Sequence, residues 1–423
     1  MTADAASRVT GRRQWPLPKL ADPSAPLLVV DGLRTEFTLE AGRLRAVDGV
    51  SFRLDDGEAL GIAGESGCGK TTTALSLVRL LPGNARIVDG SVKLWGIDLV
   101  QKTDRALQRY RWREISIVFQ GAMNALNPVR RVGDQIAEPI EKRLGQSRAA
   151  GLARARELLD LVGMPRDRGR AYPHELSGGM RQRAMIAMAL ACDPAIVIGD
   201  EPTTALDVMV QAQILELLER LRRDLGLSLM LITHDLSVIA ETCDRVLVMY
   251  AGRVAEEGGV GAVFDHPRHP YTQKLMGAFP DIASGRRTLD VIAGQPPDLR
   301  NPPAGCRFHP RCPFVMQVCR EEQPPEVRFP DGVRVACHLH PPGGEGVVAQ
   351  AAERSAPDAP PQSPAPVLAA VPEPDRAPDA GAVPGLAAAP DLAAVPDPAA
   401  VPGPTDVVRP PVVPPPAART PAP

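Results

Sequence analysis

The feature of this chain that most constrains its fold is a glycine-rich segment set between an apolar run and a helical pattern. Residues 64–71 read GESGCGKT and match the pattern G-x-x-x-x-G-K-[ST]. The apolar run 59–63 predicts a buried strand before this segment, and a helix is predicted to begin near Lys70. A strand, a glycine-rich turn and a helix in this order are typical of an α/β fold that binds phosphate groups. We call residues 64–71 the phosphate loop.

The phosphate loop is predicted to hold a nucleotide through its backbone. Its glycines let N–H groups converge on phosphate oxygens, and the start of the helix adds a partial positive charge. Lys70 is predicted to reach the β- and γ-phosphates, and Thr71 is predicted to hold Mg²⁺. The predicted nucleotide-binding residues of this segment are Gly64, Glu65, Ser66, Gly67, Cys68, Gly69, Lys70, Thr71 and Thr72.

Two further apolar runs end in side chains suited to phosphate chemistry. Residues 195–199 precede Asp200 and Glu201, and residues 227–233 precede His234. The carboxyl ends of parallel strands meet at the sheet edge where α/β proteins bind ligands. We therefore predict that Asp200 contacts Mg²⁺ directly or through water, and that Glu201 acts as a general base on an attacking water. His234 is predicted to hydrogen-bond a γ-phosphate. The predicted catalytic residues are Lys70, Glu201 and His234.

A second glycine-containing segment, residues 176–182, reads LSGGMRQ. Ser177, Gly178 and Gly179 precede a predicted helix, so they offer backbone N–H groups and a small hydroxyl to an anion. The phosphate loop already provides one phosphate-binding segment. This second anion-binding segment is therefore predicted to contact a nucleotide that the phosphate loop does not hold. We call residues 176–182 the signature segment.

Together these motifs resemble those of the ATP-binding subunits of ABC transporters, over about residues 27–340. The resemblance implies an α/β P-loop ABC ATPase fold in residues 25–285. In that fold a mostly parallel core sheet is joined by an antiparallel β subdomain and by a helical subdomain at about 121–180. Gln120 matches the family's Q-loop glutamine, which contacts Mg²⁺ and faces the membrane subunits. Asp207 matches the D-loop aspartate, His234 matches the switch histidine, and Phe37 matches the aromatic that stacks on adenine.

The resemblance also explains the signature segment. In the family, this segment serves the ATP of a partner subunit, so that two ATP molecules lie between two domains arranged head to tail. Ser177, Gly178 and Gly179 are therefore predicted to bind nucleotide in the partner's site. The chain carries one phosphate loop and one signature segment, so the partner is predicted to be another chain.

Other sequence segments resemble those of the branch of the family that imports oligopeptides, dipeptides or nickel. They are residues 126–128, 172–183, 203–208 and 269–272, with Met180 typical of the branch's D-type subunit. The branch implies an ATP-hydrolysing subunit that energises peptide import at the cytoplasmic face of the inner membrane. Implied partners are two transmembrane permease subunits, a second ATP-binding subunit (F-type, or a second copy) and, indirectly, an extracytoplasmic peptide-binding protein. Nickel as cargo, and a non-transport ABC ATPase acting on nucleic acid or ribosomes, stay open as alternatives.

Charge and hydropathy favour a peripheral protein. The net charge is −2, from 48 Lys and Arg against 50 Asp and Glu, which gives no electrostatic basis for a nucleic-acid partner. No apolar stretch reaches the 18 residues that a membrane span needs. The chain is therefore predicted to be soluble and intracellular, and to bind no nucleic acid.

Four of the seven cysteines lie in a proline-rich segment, predicted as a small C-terminal module over 286–340. Their spacings of five, six and seventeen residues lack the paired C-x-x-C pattern of zinc ribbons, so zinc is disfavoured. Inert thiols and an iron–sulfur cluster remain open. Resemblance to the C-terminal module of the peptide-importer branch favours a [4Fe-4S] cluster. The predicted ligands are Cys306, Cys312, Cys319 and Cys337.

The two ends of the chain have a different composition from the rest. Residues 341–423 are rich in Ala and Pro and hold about half of the 46 prolines, almost without aromatic residues. Such a segment cannot bury enough apolar surface to fold, so it is predicted to be a disordered tail. Residues 1–24 are predicted to be a flexible leader.

Overall fold

The computed structural model describes residues 26–40, 42–121, 125–204, 206–277 and 292–341. The predicted leader and all but the first residue of the predicted tail lie outside these ranges. The strands are β1 Leu28–Leu39, β2 Gly42–Leu54, β3 Ala59–Ala63, β4 Ala85–Leu94, β5 Ile97–Asp98, β6 Ile115–Val118, β7 Ile196–Asp200, β8 Ser228–Ile232, β9 Arg245–Tyr250, β10 Arg253–Gly259, β11 Glu326–Arg328 and β12 Arg334–Ala336.

The helices surround the strands and connect them. They are α1 Lys70–Leu77, α2 Asp104–Leu107, α3 Val132–Leu144, α4 Arg148–Leu161, α5 Gly178–Ala189, α6 Val208–Leu225, α7 Leu236–Thr242, α8 Val260–Asp265, α9 Pro270–Gly277 and α10 Gln317–Glu321. Short 3-10 helices cover Arg166–Arg170, Pro173–Glu175 and His309–Arg311. Among the described residues, none of these helices is both long and apolar enough to cross a lipid bilayer.

The larger sheet has the strand order β11-β12-β10-β9-β3-β8-β7-β6. Neighbouring strands from β9 to β6 run parallel, whereas β10, β12 and β11 add antiparallel pairs at the other edge. Strands β3, β7 and β8 are buried along their whole length. Burial on both faces explains why these three strands read as continuous apolar runs rather than as alternating ones.

The smaller sheet is antiparallel, with the order β2-β1-β4-β5. Phe37 of β1 pairs with Leu44 of β2 in this sheet. The backbone N–H of Asp48 donates to the carbonyl of Gly252 at 2.8 Å, which joins the smaller sheet to the turn between β9 and β10.

Helices α3 and α4 lie between β6 and β7 in the chain, where the helical subdomain is predicted. They pack through buried side chains that include Ile136, Ile140, Leu158 and Leu159. Ser147 caps α4 by accepting a hydrogen bond from the Ala150 N–H at 3.3 Å. Both helices lie within residues 121–180, and the helical subdomain with these limits stays a prediction.

The C-terminal residues extend the larger sheet. β12 pairs with β10 through Glu256 with Val335 and Glu257 with Arg334, and β11 then pairs with β12. The sequence predicts a separate module here, but the described residues of this segment add two strands to the sheet that carries the phosphate loop. The predicted boundary near residue 285 falls within 278–291, outside the described residues.

Candidate nucleotide site

The predicted site residues meet at one edge of the larger sheet. The phosphate loop follows β3, Asp200 ends β7, His234 follows β8 and Gln120 follows β6. In the register of the sheet, Ile232 at the end of β8 pairs with both Ile62 of β3 and Asp200 of β7. These are parallel strands, so their carboxyl ends bring the predicted groups to one side of the fold.

The conformation of the phosphate loop requires glycine. Gly64, Gly67 and Gly69 have φ angles of 143°, 77° and 105°, a region that residues with a Cβ rarely adopt. A Cβ on Gly64 would lie 2.2 Å from the Met249 carbonyl oxygen, and a Cβ on Gly69 would lie 2.4 Å from that of Ala46. At Gly64 and Gly69 the loop therefore packs directly against neighbouring backbone, and a side chain at either position would displace it.

Lys70 begins helix α1 and is buried, with 6% of its surface exposed. Its ammonium donates to the carbonyl oxygens of Gly64 at 2.6 Å and Glu65 at 3.0 Å. The phosphate loop thus holds its own cation in place. A buried ammonium at the first turn of a helix is suited to bind phosphate oxygens.

Thr71 and Asp200 form the candidate Mg²⁺ site. The Thr71 hydroxyl donates to Asp200 Oδ1 at 3.1 Å, and Asp200 is 1% exposed. Burial raises the pKa of Asp200, while the Thr71 hydroxyl and the Lys70 ammonium oppose that shift. An adjacent hydroxyl and carboxylate fit Mg²⁺, which is held by one or two carboxylates together with substrate phosphates. Within the described residues no three His, Cys, Asp or Glu side chains group as a metal site, and Mg²⁺ does not require such a group.

Glu201 is surrounded by polar side chains. Its Oε2 accepts hydrogen bonds from Gln120 Nε2 at 2.7 Å and from the Thr204 hydroxyl at 2.9 Å, and His234 Nδ1 lies 3.4 Å from its Oε1. The φ angle of Glu201 is 47°, although its N–H still donates to the Ile232 carbonyl at 2.8 Å. Left-handed backbone at a non-glycine residue is strained and is common at functional sites. The structure brings together the predicted Gln120, Glu201 and His234; Thr204 is an addition.

A cavity of about 580 Å³ is lined by residues of the phosphate loop and by Gln120 and Glu201, but not by His234. It extends from Glu201 to apolar side chains of the smaller sheet. Its lining residues are Phe37, Leu39, Leu44, Ala46, Ser66, Gly67, Gly69, Lys70, Thr71, Thr72, Gln120, Glu201, Pro297, Asp298 and Leu299. Sequence analysis did not predict the last three, because no motif marks a segment more than 200 residues from the phosphate loop as part of its wall.

The signature segment does not line this cavity. Ser177 caps α5 by accepting from the Met180 N–H at 3.3 Å, and Asp207 caps α6 by accepting from the Val210 N–H at 2.9 Å. A Cβ on Gly179 would lie 2.7 Å from Val210 Cγ1, so glycine allows the starts of α5 and α6 to approach closely. Two capped helix starts thus lie together, apart from the chain's own nucleotide cavity. Ala205, next to this group in sequence, lies outside the described residues.

Comparison with known proteins identifies the chain. Residues 47–204 match the family described as ABC transporter, and residues 255–319 match the oligopeptide/dipeptide transporter C-terminal region. A "Probable peptide ABC transporter ATP-binding protein" of Sinorhizobium fredii is 50% identical over 322 residues, which are 75% of this chain and 96% of the relative. The chain belongs to the peptide-transporter branch of the ABC ATP-binding proteins. The oligopeptide transport ATP-binding protein OppD of Salmonella typhimurium is 47% identical to this ABC ATPase over 317 residues, 74% of this chain and 94% of the relative.

Solved structures agree with the fold of this ABC ATPase. A dimeric ATP-binding cassette in a post-hydrolysis state, bound to ADP and Pi, matches with a TM-score of 0.50 at 27% identity. A dimeric bacterial ABC transporter cassette matches with the same TM-score at 28% identity. Each match covers 55% of this chain and 98% of the solved chain. The predicted P-loop ABC ATPase fold is confirmed, with its parallel core and antiparallel sheets.

Two predicted nucleotide-binding residues of this ABC ATPase face away from the cavity. The Glu65 carboxylate accepts two hydrogen bonds from Arg311, and the Glu65 N–H donates to the Tyr271 hydroxyl at 2.9 Å. The Cys68 side chain is 4% exposed, and burial raises the pKa of its thiol. Cys68 is therefore not an activated thiol.

The four C-terminal cysteines of this ABC ATPase are free thiols. Burial is the main cause that raises the pKa of Cys312 to about 11 and that of Cys337 to about 12, with a smaller contribution from the neighbouring cysteines. The four cysteines form no metal-ligand group among the described residues. The structure therefore does not support the predicted [4Fe-4S] cluster, and no step below uses one.

Proposed function

We propose that this ABC ATPase powers the import of dipeptides or oligopeptides, and that it hydrolyses ATP only when paired with a second ATP-binding subunit. One observation carries the second part: the cavity holds the phosphate loop, Gln120 and Glu201 but none of the signature segment. A site that lacks its signature segment needs one from a partner. Both solved cassettes are dimeric, which supports this arrangement.

The chemistry proposed for the site is an in-line attack of water on the γ-phosphate of ATP. Glu201 Oε2 accepts from Gln120 and Thr204, and Oε1, which lies 3.4 Å from His234 Nδ1, is the oxygen proposed to accept the proton of the attacking water. The Lys70 ammonium stabilises the charge that develops on the γ-phosphoryl oxygens, and His234 hydrogen-bonds the same group. Thr71, Asp200 and Gln120 would hold Mg²⁺, which would supply positive charge to neutralise the phosphates of the nucleotide.

The proposed partner surface includes the starts of α5 and α6. Ser177 and Asp207 are exposed there, and Val208 and Met209 are exposed by 82% and 72%. Large apolar side chains exposed beside two helix N-termini suit a surface that another domain covers. We propose an F-type ATP-binding subunit as the partner, although a second copy of this chain satisfies the same geometry.

The proposed transporter contains two permease subunits and receives its cargo from an extracytoplasmic peptide-binding protein, with this ATPase on the cytoplasmic face of the inner membrane. Gln120 supports a coupling role, because it contacts Glu201 and follows β6, the strand that precedes the helical region. Peptide is favoured as cargo by the names of the relatives. Reconstitution with the permeases and binding protein tests it: peptide should stimulate ATP hydrolysis, whereas stimulation by nickel alone would contradict a peptide cargo.

Substitution of the signature serine tests the shared site. Ser177→Arg is expected to leave the ATP affinity of the isolated chain within about twofold of wild type, yet to lower hydrolysis by the assembled transporter about a hundredfold, because a bulky cation replaces an anion-binding cap. The measurements are ATP titration of the isolated chain and phosphate release by the complex.

Ser147→Arg is the matched control for this test. Ser147 and Ser177 are both exposed helix caps that accept an N–H at 3.3 Å, so the two substitutions cost similar helix stability. Equal hydrolysis by complexes that carry either variant would contradict the shared site.

Phe37 tests the predicted adenine contact. Phe37→Ala is expected to weaken ATP binding about tenfold through loss of base stacking, while Phe37→Trp retains binding. Titration with ATP and with inorganic tripolyphosphate separates base from phosphate contributions. An equal loss for both ligands would contradict stacking, since tripolyphosphate has no base.

A further inference from the structure

The C-terminal segment reaches the phosphate loop through one guanidinium group. Arg311 Nη1 donates to Glu65 Oε2 at 2.7 Å, and Nη2 donates to Glu65 Oε1 at 2.9 Å. The side chain of Arg311 is 6% exposed and that of Glu65 is 22% exposed. A two-pronged, largely buried Arg–carboxylate pair fixes the relative position of both groups, whereas an exposed ion pair contributes little.

The same guanidinium also contacts the start of the segment that leads to the cavity-lining residues 297–299. Arg311 Nε donates to the Ala293 carbonyl at 2.9 Å, and Nη2 lies 3.4 Å from the Ile292 carbonyl. The chain continues from there to residues 297–299, which line the nucleotide cavity. Arg311 therefore touches both the phosphate loop and the segment that leads to the opposite lining residues.

Glu65 is held at its backbone as well as at its carboxylate. Its N–H donates to the Tyr271 hydroxyl, and the Tyr271 ring lies 4.6 Å from the ring of Tyr250. The Tyr250 hydroxyl in turn accepts from Arg311 Nη1 at 3.2 Å. The second residue of the phosphate loop is thus connected to Arg311 by a direct contact and by a second path through two tyrosines.

We propose that Arg311 is a positioning residue of the nucleotide site, which holds the phosphate loop and the wall at 292–299 in the arrangement that binds ATP. This inference rests on the proposed function, because it takes ATP as the ligand of the nucleotide cavity. Arg311 contacts Glu65 and not the cavity, so it acts through the loop. Lysine cannot reproduce this role, because an ammonium lacks the planar set of donors that reaches a carboxylate and two carbonyls together.

The test compares ATP binding and turnover by full-length variants. Arg311→Lys is expected to weaken ATP binding by the isolated chain about tenfold, and Glu65→Gln is expected to weaken it in the same direction. The double variant should bind ATP no more weakly than Arg311→Lys, because both substitutions break one contact. In the assembled transporter, KM for ATP should rise while kcat stays within about twofold of wild type.

Two controls keep the outcomes distinct. Arg320→Gln removes an exposed arginine of the same segment and should bind ATP as wild type does. Thermal unfolding reports the folded state; if Arg311→Lys unfolds, then Glu65→Gln, which keeps the side-chain shape, carries the test. The inference would be overturned if Arg311→Lys and Glu65→Gln both bound ATP with wild-type affinity. It would also be overturned if both variants lowered kcat equally and left KM for ATP unchanged. Failure of the wild-type chain itself to bind ATP would instead overturn the proposed function.

Discussion

Glu201→Gln is expected to bind ATP within about twofold of wild type and to lower turnover of the assembled transporter by about a hundredfold or more. The substitution keeps the size of the side chain and its acceptor oxygen for Gln120 and Thr204, but it removes the carboxylate oxygen that would take the proton from water. Phosphate release at saturating ATP measures the loss, and titration of the isolated chain measures binding.

The same variant should accumulate the paired state. If hydrolysis is what separates the two ATP-binding subunits, a chain that binds ATP but does not cleave it stays paired, which light scattering with and without ATP can detect. Glu241→Gln, at an exposed glutamate, is the control and should behave as wild type. Rapid phosphate release by the Glu201→Gln complex would remove Glu201 from its role as general base.

Lys70→Met is expected to weaken ATP binding by about a hundredfold or more, because it removes the cation that the loop carbonyls of Gly64 and Glu65 hold in place. Methionine fills similar space, so the loop should keep its packing. Isothermal titration with ATP measures the effect, and thermal unfolding checks that the variant is folded.

Lys93→Met serves as the control for this prediction, since Lys93 is exposed on the smaller sheet. It should bind ATP as the wild type does. If Lys70→Met bound ATP with unchanged affinity, the phosphate loop would not be the nucleotide site, and the roles proposed for Thr71 and Asp200 would fall with it.

The buried strands of the larger sheet could be predicted from the sequence within one or two residues. The runs at 59–63, 195–199 and 227–233 correspond to β3, β7 and β8, because strands covered on both faces must be apolar throughout. The start of helix α1 at Lys70 could also be predicted, because the glycine-rich motif before it is typically followed by a helix. Local pattern suffices where burial and turn geometry are encoded by adjacent residues.

The contacts that complete the cavity could not be predicted in this way. Glu65 and Arg311 are 246 residues apart, and no sequence motif marks Arg311 as a partner of the phosphate loop. The wall at 297–299 likewise lies more than 200 residues from the phosphate loop in the sequence. The predicted cysteine cluster is not supported among the described residues, because spacing along a chain does not fix distances in space.

The edge position of the last two strands limits how the C-terminal segment can be studied. β12 satisfies the backbone groups of β10, and Arg334 pairs with the buried carboxylate of Glu257. Shortening the chain ahead of β11 would leave a bare strand open to self-association and a carboxylate with one fewer counter-charge. Loss of activity in a truncated protein could therefore result from a disrupted sheet. Point substitutions at Arg311 separate the contribution of the C-terminal segment to nucleotide binding from its contribution to folding.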